Sequence, residues 1–248
     1  MSTLILALTA GAVIGLALGA LGGGGSVLAV PALIYLLGFT PVAATTASLV
    51  IVAVTSATAM SAHARDGNVR WRTGLLFAAA GIGPAMLGGA LAGRIPAAAL
   101  TAAFAVVAGA AALRMLRTRR HADAIVPVRP GRAAAAGAGL GAVTGVLGVG
   151  GGFLAVPALV SVLGMRMRNA VGTSLLVITV NSLAALAARA GTVDGLDWSV
   201  VGPFAGAAIL GAWDGKRLAT KVSGGTLQRI FALVLLAVAA FMLIDAAA

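Results

Sequence analysis

Apolar residues dominate long stretches of the chain, at 41–63, 72–92 and 96–117 and again at 168–189, 198–218 and 224–245. Each can cross a hydrocarbon core of about 30 Å as a helix, which takes roughly 20 residues. Ahead of each trio stands a different pattern: a helix with glycine at every fourth position (3–21; 132–147), a glycine cluster, then a short helix (26–37; 152–163). The first such unit fills residues 3–37 and the second, counted from 131 to 164, fills 34. Two full crossings need roughly 40 residues plus a turn. The pattern therefore predicts a re-entrant helical hairpin in each half, with its glycine tip inside the membrane.

The two halves are copies. Shifting the chain by 126 positions lays Leu28-Ala29-Val30-Pro31-Ala32-Leu33 on Leu154-Ala155-Val156-Pro157-Ala158-Leu159, and residues 11–56 match 137–182 at 21 of 46 positions. That period is far too long for a solenoid and points to a duplicated membrane protein. The first repeat takes residues 1–117 (hairpin 3–37, then the three helices), a linker takes 118–131, and the second repeat takes 132–248 (hairpin 132–163, then its three helices). The fold class expected is all-α and polytopic. Three full crossings per half make the two repeats inverted, an arrangement common among secondary transporters.

Composition narrows the picture. Charged residues are only 9% of the chain against roughly 25% in soluble domains, and 60% are hydrophobic. A soluble globular protein is excluded. The net charge of +11 sits between apolar runs rather than on one polar face, and aromatics for base stacking are only 4%, so nucleic acid is not the partner. The lipid bilayer is. Basic residues mark cytoplasmic loops, which places the linker inside together with Arg65, Arg70 and Arg72, with Arg166 and Arg168, and with Lys216, Arg217 and Lys221. The expected location is the bacterial inner membrane, multi-pass, with both termini outside. The apolar start Met1-Ser2-Thr3 lacks a basic n-region and recurs in the second half, so it reads as mature structure rather than a signal peptide.

Chemistry-bearing residues are few. Cys and Glu are absent and two His and six Asp are scattered, so no catalytic set, metal set or cofactor is implied and the chain reads as no enzyme. The tips are more informative. Gly22-Gly23-Gly24-Gly25-Ser26 and Gly148-Val149-Gly150-Gly151-Gly152-Phe153 each open into a short helix, whose free N–H groups and partial positive charge suit a small anion. Candidate substrate contacts are Gly23, Gly24, Gly25, Ser26, Gly150, Gly151, Gly152 and Phe153. Polar side chains on the next helices join them: Thr46, Ser48, Thr55, Thr173, Ser174 and Asn181. Asn181 stands out because a mid-helix amide cannot satisfy itself locally, and by depth it falls level with a tip; Thr55 is its equivalent. Gly11, Gly15 and Gly19, with Gly137, Gly141 and Gly145, instead read as close-packing surfaces. Asp214 and His63 are the candidates for coupling, although His63, beside a basic loop, reads first as a solvated helix end. Trp71 and Trp198 fit interfacial anchors.

At the doubled glycine cluster with Leu-Ala-Val-Pro-Ala-Leu, continued by Ala44 to Ser48 and Ala170 to Ser174, the chain resembles the sulfite exporter TauE/SafE family from about residue 10 to 243. A departure within the repeat is Trp213-Asp214, where the first half has Ala90-Leu91. The resemblance implies an inner-membrane protein that exports sulfite, sulfoacetate or a related organosulfonate. Rival readings are an importer or channel for another small anion and a non-transporting membrane subunit. A second copy of the chain, as a homodimer, is the macromolecular partner left open.

Overall fold

A computed structural model describes residues 2–92, 97–117, 130–147, 152–188 and 196–247. These form ten α-helices: α1 (Ser2–Leu21), α2 (Gly24–Pro31), α3 (Pro41–Arg65), α4 (Trp71–Ala92), α5 (Ala97–Arg117), α6 (Pro130–Leu147), α7 (Gly152–Ser161), α8 (Met167–Ala188), α9 (Trp198–Lys221) and α10 (Gly224–Ala247). No strand occurs among the described residues. Exposed Ile5, Val13, Met86, Leu87, Leu210 and Ile244 give the bundle an apolar outer surface, the mark of a protein solvated by lipid.

Local chemistry sets the helix ends. Thr40 accepts from the Ala43 amide at 3.4 Å and Pro41 follows it at the first helical position, a pairing that starts α3 cleanly. Asp197 accepts from the Ser199 amide at 3.0 Å and starts α9. Pro31 ends α2, lacking a donor, and the chain widens into a π-turn over Ala32–Leu36. The short helices of both halves then stop in the same way. Gly38 and its mate Gly164 adopt φ of 71° and 70°, and the amides of Phe39 and Met165 each donate at 3.0 Å to Leu33 and Leu159. Such a six-to-one bond beside a left-handed glycine is a common helix stop.

The packing exchanges helices between the halves. α1 lies along α9 and α6 lies along α4, so the first helix of each repeat rests on the fourth helix of the other. A Cβ on Gly11, Gly15 or Gly19 would collide with the carbonyls of Phe204, Ala208 and Ala212, in that order, so α1 and α9 run parallel at backbone contact. Gly137 and Gly141 press on the carbonyls of Phe77 and Gly81 in the same sense. Lipid offers no hydrophobic drive for helix association, and small residues answer by admitting close dispersion contact. The expected packing role of these glycines is thus seen at Gly11, Gly15, Gly19, Gly137 and Gly141.

α3 and its mate α8 cross at the centre of the bundle. Ser56 and Thr179 hydroxyls meet there at 2.9 Å, whereas past the end of α3, in the loop that leads to α4, the Arg70 amide donates to Thr173 at 3.1 Å. Rising numbers on one strand of the crossing meet falling numbers on the other, so the equivalent helices are antiparallel.

Side chains gather the basic loops at one end. Lys216 pairs with Asp66 at 2.8 Å, Arg168 donates to the carbonyls of Thr220 and Val222, Arg132 to that of Val162, and Gln228 to that of Met115. Together these contacts place the ends of α3, α5, α7 and α9 beside the starts of α4, α6, α8 and α10. The linker residues 118–129 lie outside the described residues.

One expectation shifts. α1 has 20 residues, about 30 Å at 1.5 Å per residue, and among the described residues Thr3–Leu21 is one of four helices long and apolar enough to cross a membrane, with Ala43–Arg65, Met167–Ala187 and Gly224–Phe241. The helix is therefore long enough to carry the first tip well past the middle of the bundle. Gly22, the turn itself, sits against Ser174, seven residues into α8, toward the basic end.

Candidate functional site

The first tip is built by a turn that glycine alone makes without strain. Gly22 has φ of 71°, its amide closes the last turn of α1 by donating to Leu18 at 2.8 Å, and α2 begins two residues later. A Cβ at Gly22 would lie 2.5 Å from the Ser174 hydroxyl oxygen and 3.3 Å from a methyl of Val156. The tip of the first half is thereby seated on α7 and α8 of the second. Gly23 is buried in the turn and Gly24 opens α2. Gly25 is claimed by packing as well, because a Cβ there would lie 2.5 Å from that of Leu18.

In the second half, Gly150 and Gly151 lie outside the described residues. Gly152 is buried and opens α7. Ser26 and Phe153 fall within α2 and α7, but their side chains are outside the described part.

Polar side chains on α3 and α8 divide into two groups. Ser48 donates to the Thr45 carbonyl at 2.8 Å and Ser174 to that of Val171 at 2.8 Å, the usual back-bonding of hydroxyls in membrane helices. Thr46 and Thr173 are buried, and Thr173 accepts from Arg70 across the bundle. The second group lies at the crossing. Ser56 stands 15 residues from the start of α3 and nine from its end, about 22 and 14 Å along the axis. Beside it, Thr55 is 1% exposed and its hydroxyl has no hydrogen-bond partner among the described residues. Two residues beyond Thr179, the amide oxygen of Asn181 is likewise buried and unpartnered. Thr55 and Asn181 are repeat mates, so each half contributes one orphaned polar atom at the same level of the bundle. Leaving such an atom unmet inside a fold costs about 1–3 kcal/mol. Of the four such atoms among the described residues, with His63 Nδ1 and Ser161 Oγ, these two alone are repeat mates.

Asn181 is not level with the first tip. It lies seven residues beyond Ser174, about 10 Å further along α8. The candidate residues therefore fall at two levels: a glycine turn toward the basic end and a hydroxyl and amide cluster at mid-helix.

The coupling candidates separate. Asp214 is on the outer face of α9, its side chain 69% exposed and 3.5 Å from Arg217. His63 is not the solvated helix end expected of it. It is 5% exposed, its Nε2 lies 3.1 Å from the Gly19 carbonyl oxygen of α1, and its Nδ1 has no partner among the described residues. Ala59 and Ala62 on the same helix are buried as well, and the contact that encloses the ring comes from α1, 44 residues away. The Asp66–Lys216 pair was not foreseen as a pair, although both residues fall in segments assigned to one side. Trp71 and Trp198, the first residues of α4 and α9, are exposed at opposite ends of the bundle.

A model of the family described as Sulfite exporter TauE/SafE matches residues 7–242. Among curated proteins, the chain is 36% identical to a "Probable membrane transporter protein" of Xylella fastidiosa (strain 9a5c), covering 97% of this chain and 95% of that one. A protein of the same name from Xylella fastidiosa (strain Temecula1 / ATCC 700964) is 35% identical with the same coverage. No solved structure matches.

Proposed function

Because the chain belongs to the sulfite exporter TauE/SafE family of multi-pass membrane transporters, we propose that it exports a small sulfur-containing anion, such as sulfite, sulfoacetate or a related organosulfonate, across the bacterial inner membrane. The observation that carries a site between the halves is the matched pair of buried, unpartnered atoms, Thr55 Oγ1 and Asn181 Oδ1. A hydroxyl can donate to an anion, and an amide turned about its last bond presents N–H in place of oxygen.

The antiparallel crossing of α3 and α8 supports an inverted repeat, and the gathered basic loops support a cytoplasmic assignment for that end by the bias of Arg and Lys. Both termini then lie outside. Each α1–α2 or α6–α7 hairpin enters as a re-entrant element, and the Gly22 turn, sealed against Ser174 and Val156, is the closed gate of an occluded state. Rocking about the crossing of the two exchanged units, α1 with α9 and α4 with α6, would open it to one side at a time. A membrane potential, negative inside, is worth about 2.3 kcal/mol per charge per 100 mV and drives anions outward, so export needs no coupling ion.

Proteoliposomes loaded with sulfite, thiosulfate, sulfate, sulfoacetate or taurine test this reading under an imposed potential. Export of at least one sulfur anion is expected, with loss of more than tenfold in Asn181→Leu and Thr55→Val. Unchanged flux in both variants would remove the crossing from the pathway.

A further inference from the structure

His63 is the buried ionisable side chain that the export reading leaves idle. Its geometry fixes its chemistry. A carbonyl oxygen can only accept, so the 3.1 Å contact with Gly19 requires hydrogen on Nε2, and in the neutral ring Nδ1 is then a bare lone pair. That nitrogen is buried without a partner among the described residues. Gly19 belongs to the last turn of α1, where terminal carbonyls lack intrahelical donors. His63 therefore caps the helix that ends, three residues on, in the Gly22 turn.

Charge reaches this spot from few directions. α1 and α2 carry no ionisable side chain, the π-turn carries only the exposed Tyr35, and α8 carries Arg168, which donates to the carbonyls of Thr220 and Val222. α9 brings Lys216, which is paired at 2.8 Å with Asp66 just beyond the end of α3; both act electrostatically on His63. Asp214 and Arg217 pair with each other on the exposed face of α9, and Arg65 is exposed. The Asp66 side chain is 40% exposed and that of Lys216 is 19%, which opens the neighbourhood to water at the basic end.

We propose that His63 Nδ1 is a proton-binding site facing the basic end, and that its proton and the transported anion bind cooperatively. The proposal rests on the export reading for the identity of the anion. The proton adds to Nδ1, leaves the Nε2–H bond to Gly19 intact, and converts the ring to imidazolium one helical turn from the tip. An anion held at Thr55 and Asn181, eight residues or about 12 Å along α3 from His63, stabilises that cation, and by reciprocity the cation raises anion affinity by the same factor. The proton comes from and returns to the basic-end solution, so acidification on that side would raise substrate capture without a proton crossing.

The test uses full-length protein carrying His121→Gln, so that His63 is the sole histidine. Nitrogen NMR follows Nδ1 between about pH 5 and 8, with and without sulfoacetate, whose charge is constant over that range; calorimetry measures sulfoacetate affinity in parallel. Expected are a single Nδ1 titration that sulfoacetate moves to higher pH and an affinity that tightens up to tenfold per pH unit. His63→Gln keeps a donor for Gly19 and should keep binding, with less than twofold change per unit. Flux into or out of vesicles should respond to pH on the basic-end side alone. An Nδ1 that never titrates, sulfoacetate that binds without moving the titration, or a His63→Gln protein with the pH dependence intact overturns the proposal. Failure of every sulfur anion to bind at any pH instead overturns the export reading, and the coupling falls with it even if Nδ1 of the free protein titrates.

Discussion

Replacing Gly22 by alanine tests whether the tip of one half is held by the other. Two costs arise. The backbone at φ 71° disfavours any residue with a Cβ, by roughly 1–2 kcal/mol. The new methyl would also lie 2.5 Å from the Ser174 hydroxyl, and forced overpacking of this kind costs about 1–3 kcal/mol. Together Gly22→Ala should destabilise the protein by about 2–5 kcal/mol. Ser174→Ala removes that oxygen and leaves contacts no shorter than 3.3 Å, with Val156 and Val171. Its own cost is small, about 1 kcal/mol, because the hydroxyl bonds a carbonyl of its own helix. In the Ser174→Ala background, Gly22→Ala should retain the backbone cost alone. Reversible unfolding in mixed micelles, followed by tryptophan fluorescence, measures all four proteins. A coupling energy of about 1–3 kcal/mol is expected. A value below about 0.5 kcal/mol, the ordinary scatter of additivity, would show that the turn does not rest on α8.

Asn181→Leu and Thr55→Val should each leave stability unchanged or raise it by up to about 2 kcal/mol, since an unmet polar atom is removed and shape is nearly kept; thermal melts check this beside the transport loss. Gly15→Val drives a side chain into the Ala208 carbonyl and should cost about 3 kcal/mol or more, whereas Gly139→Val, with open space around its Cβ, should cost about 1 kcal/mol or less by the same unfolding assay. Lys216→Met breaks a partly exposed ion pair and should cost about 1 kcal/mol or less, shrinking further in high salt.

Much of the architecture was legible because the duplication and the spacing of apolar runs are written in local residue order. The predicted segment 41–63 became Pro41–Arg65 and 168–189 became Met167–Ala188, with Thr40 and Pro41 marking a start that propensity alone would leave vague. What local order does not encode is partnership. The glycine stripes on α1 and α6 announce a close neighbour but not which one, and nothing in the spacing reveals that each stripe serves the opposite half. The unequal arms of the first hairpin were readable too: the expected 3–21 and 26–37 became Ser2–Leu21 and a short arm over 24–36, π-turn included. At the site, Thr55 and Asn181 were readable from residue type and position within their helices. His63 was not, because its burial depends on α1 arriving from 44 residues away.

The swap of first helices has a mechanical and a biosynthetic result. α1 is made long before α9, its seat, so it must wait in the bilayer with its glycine groove unfilled until nearly the whole chain has emerged. A fragment ending at Arg117 would lack that seat, yet two fragments supplied together should knit into one particle. Any piece that moved as one body would therefore be a chimera: one lever of stretches near the two ends of the polypeptide, α1 with α9, and one of its middle, α4 with α6.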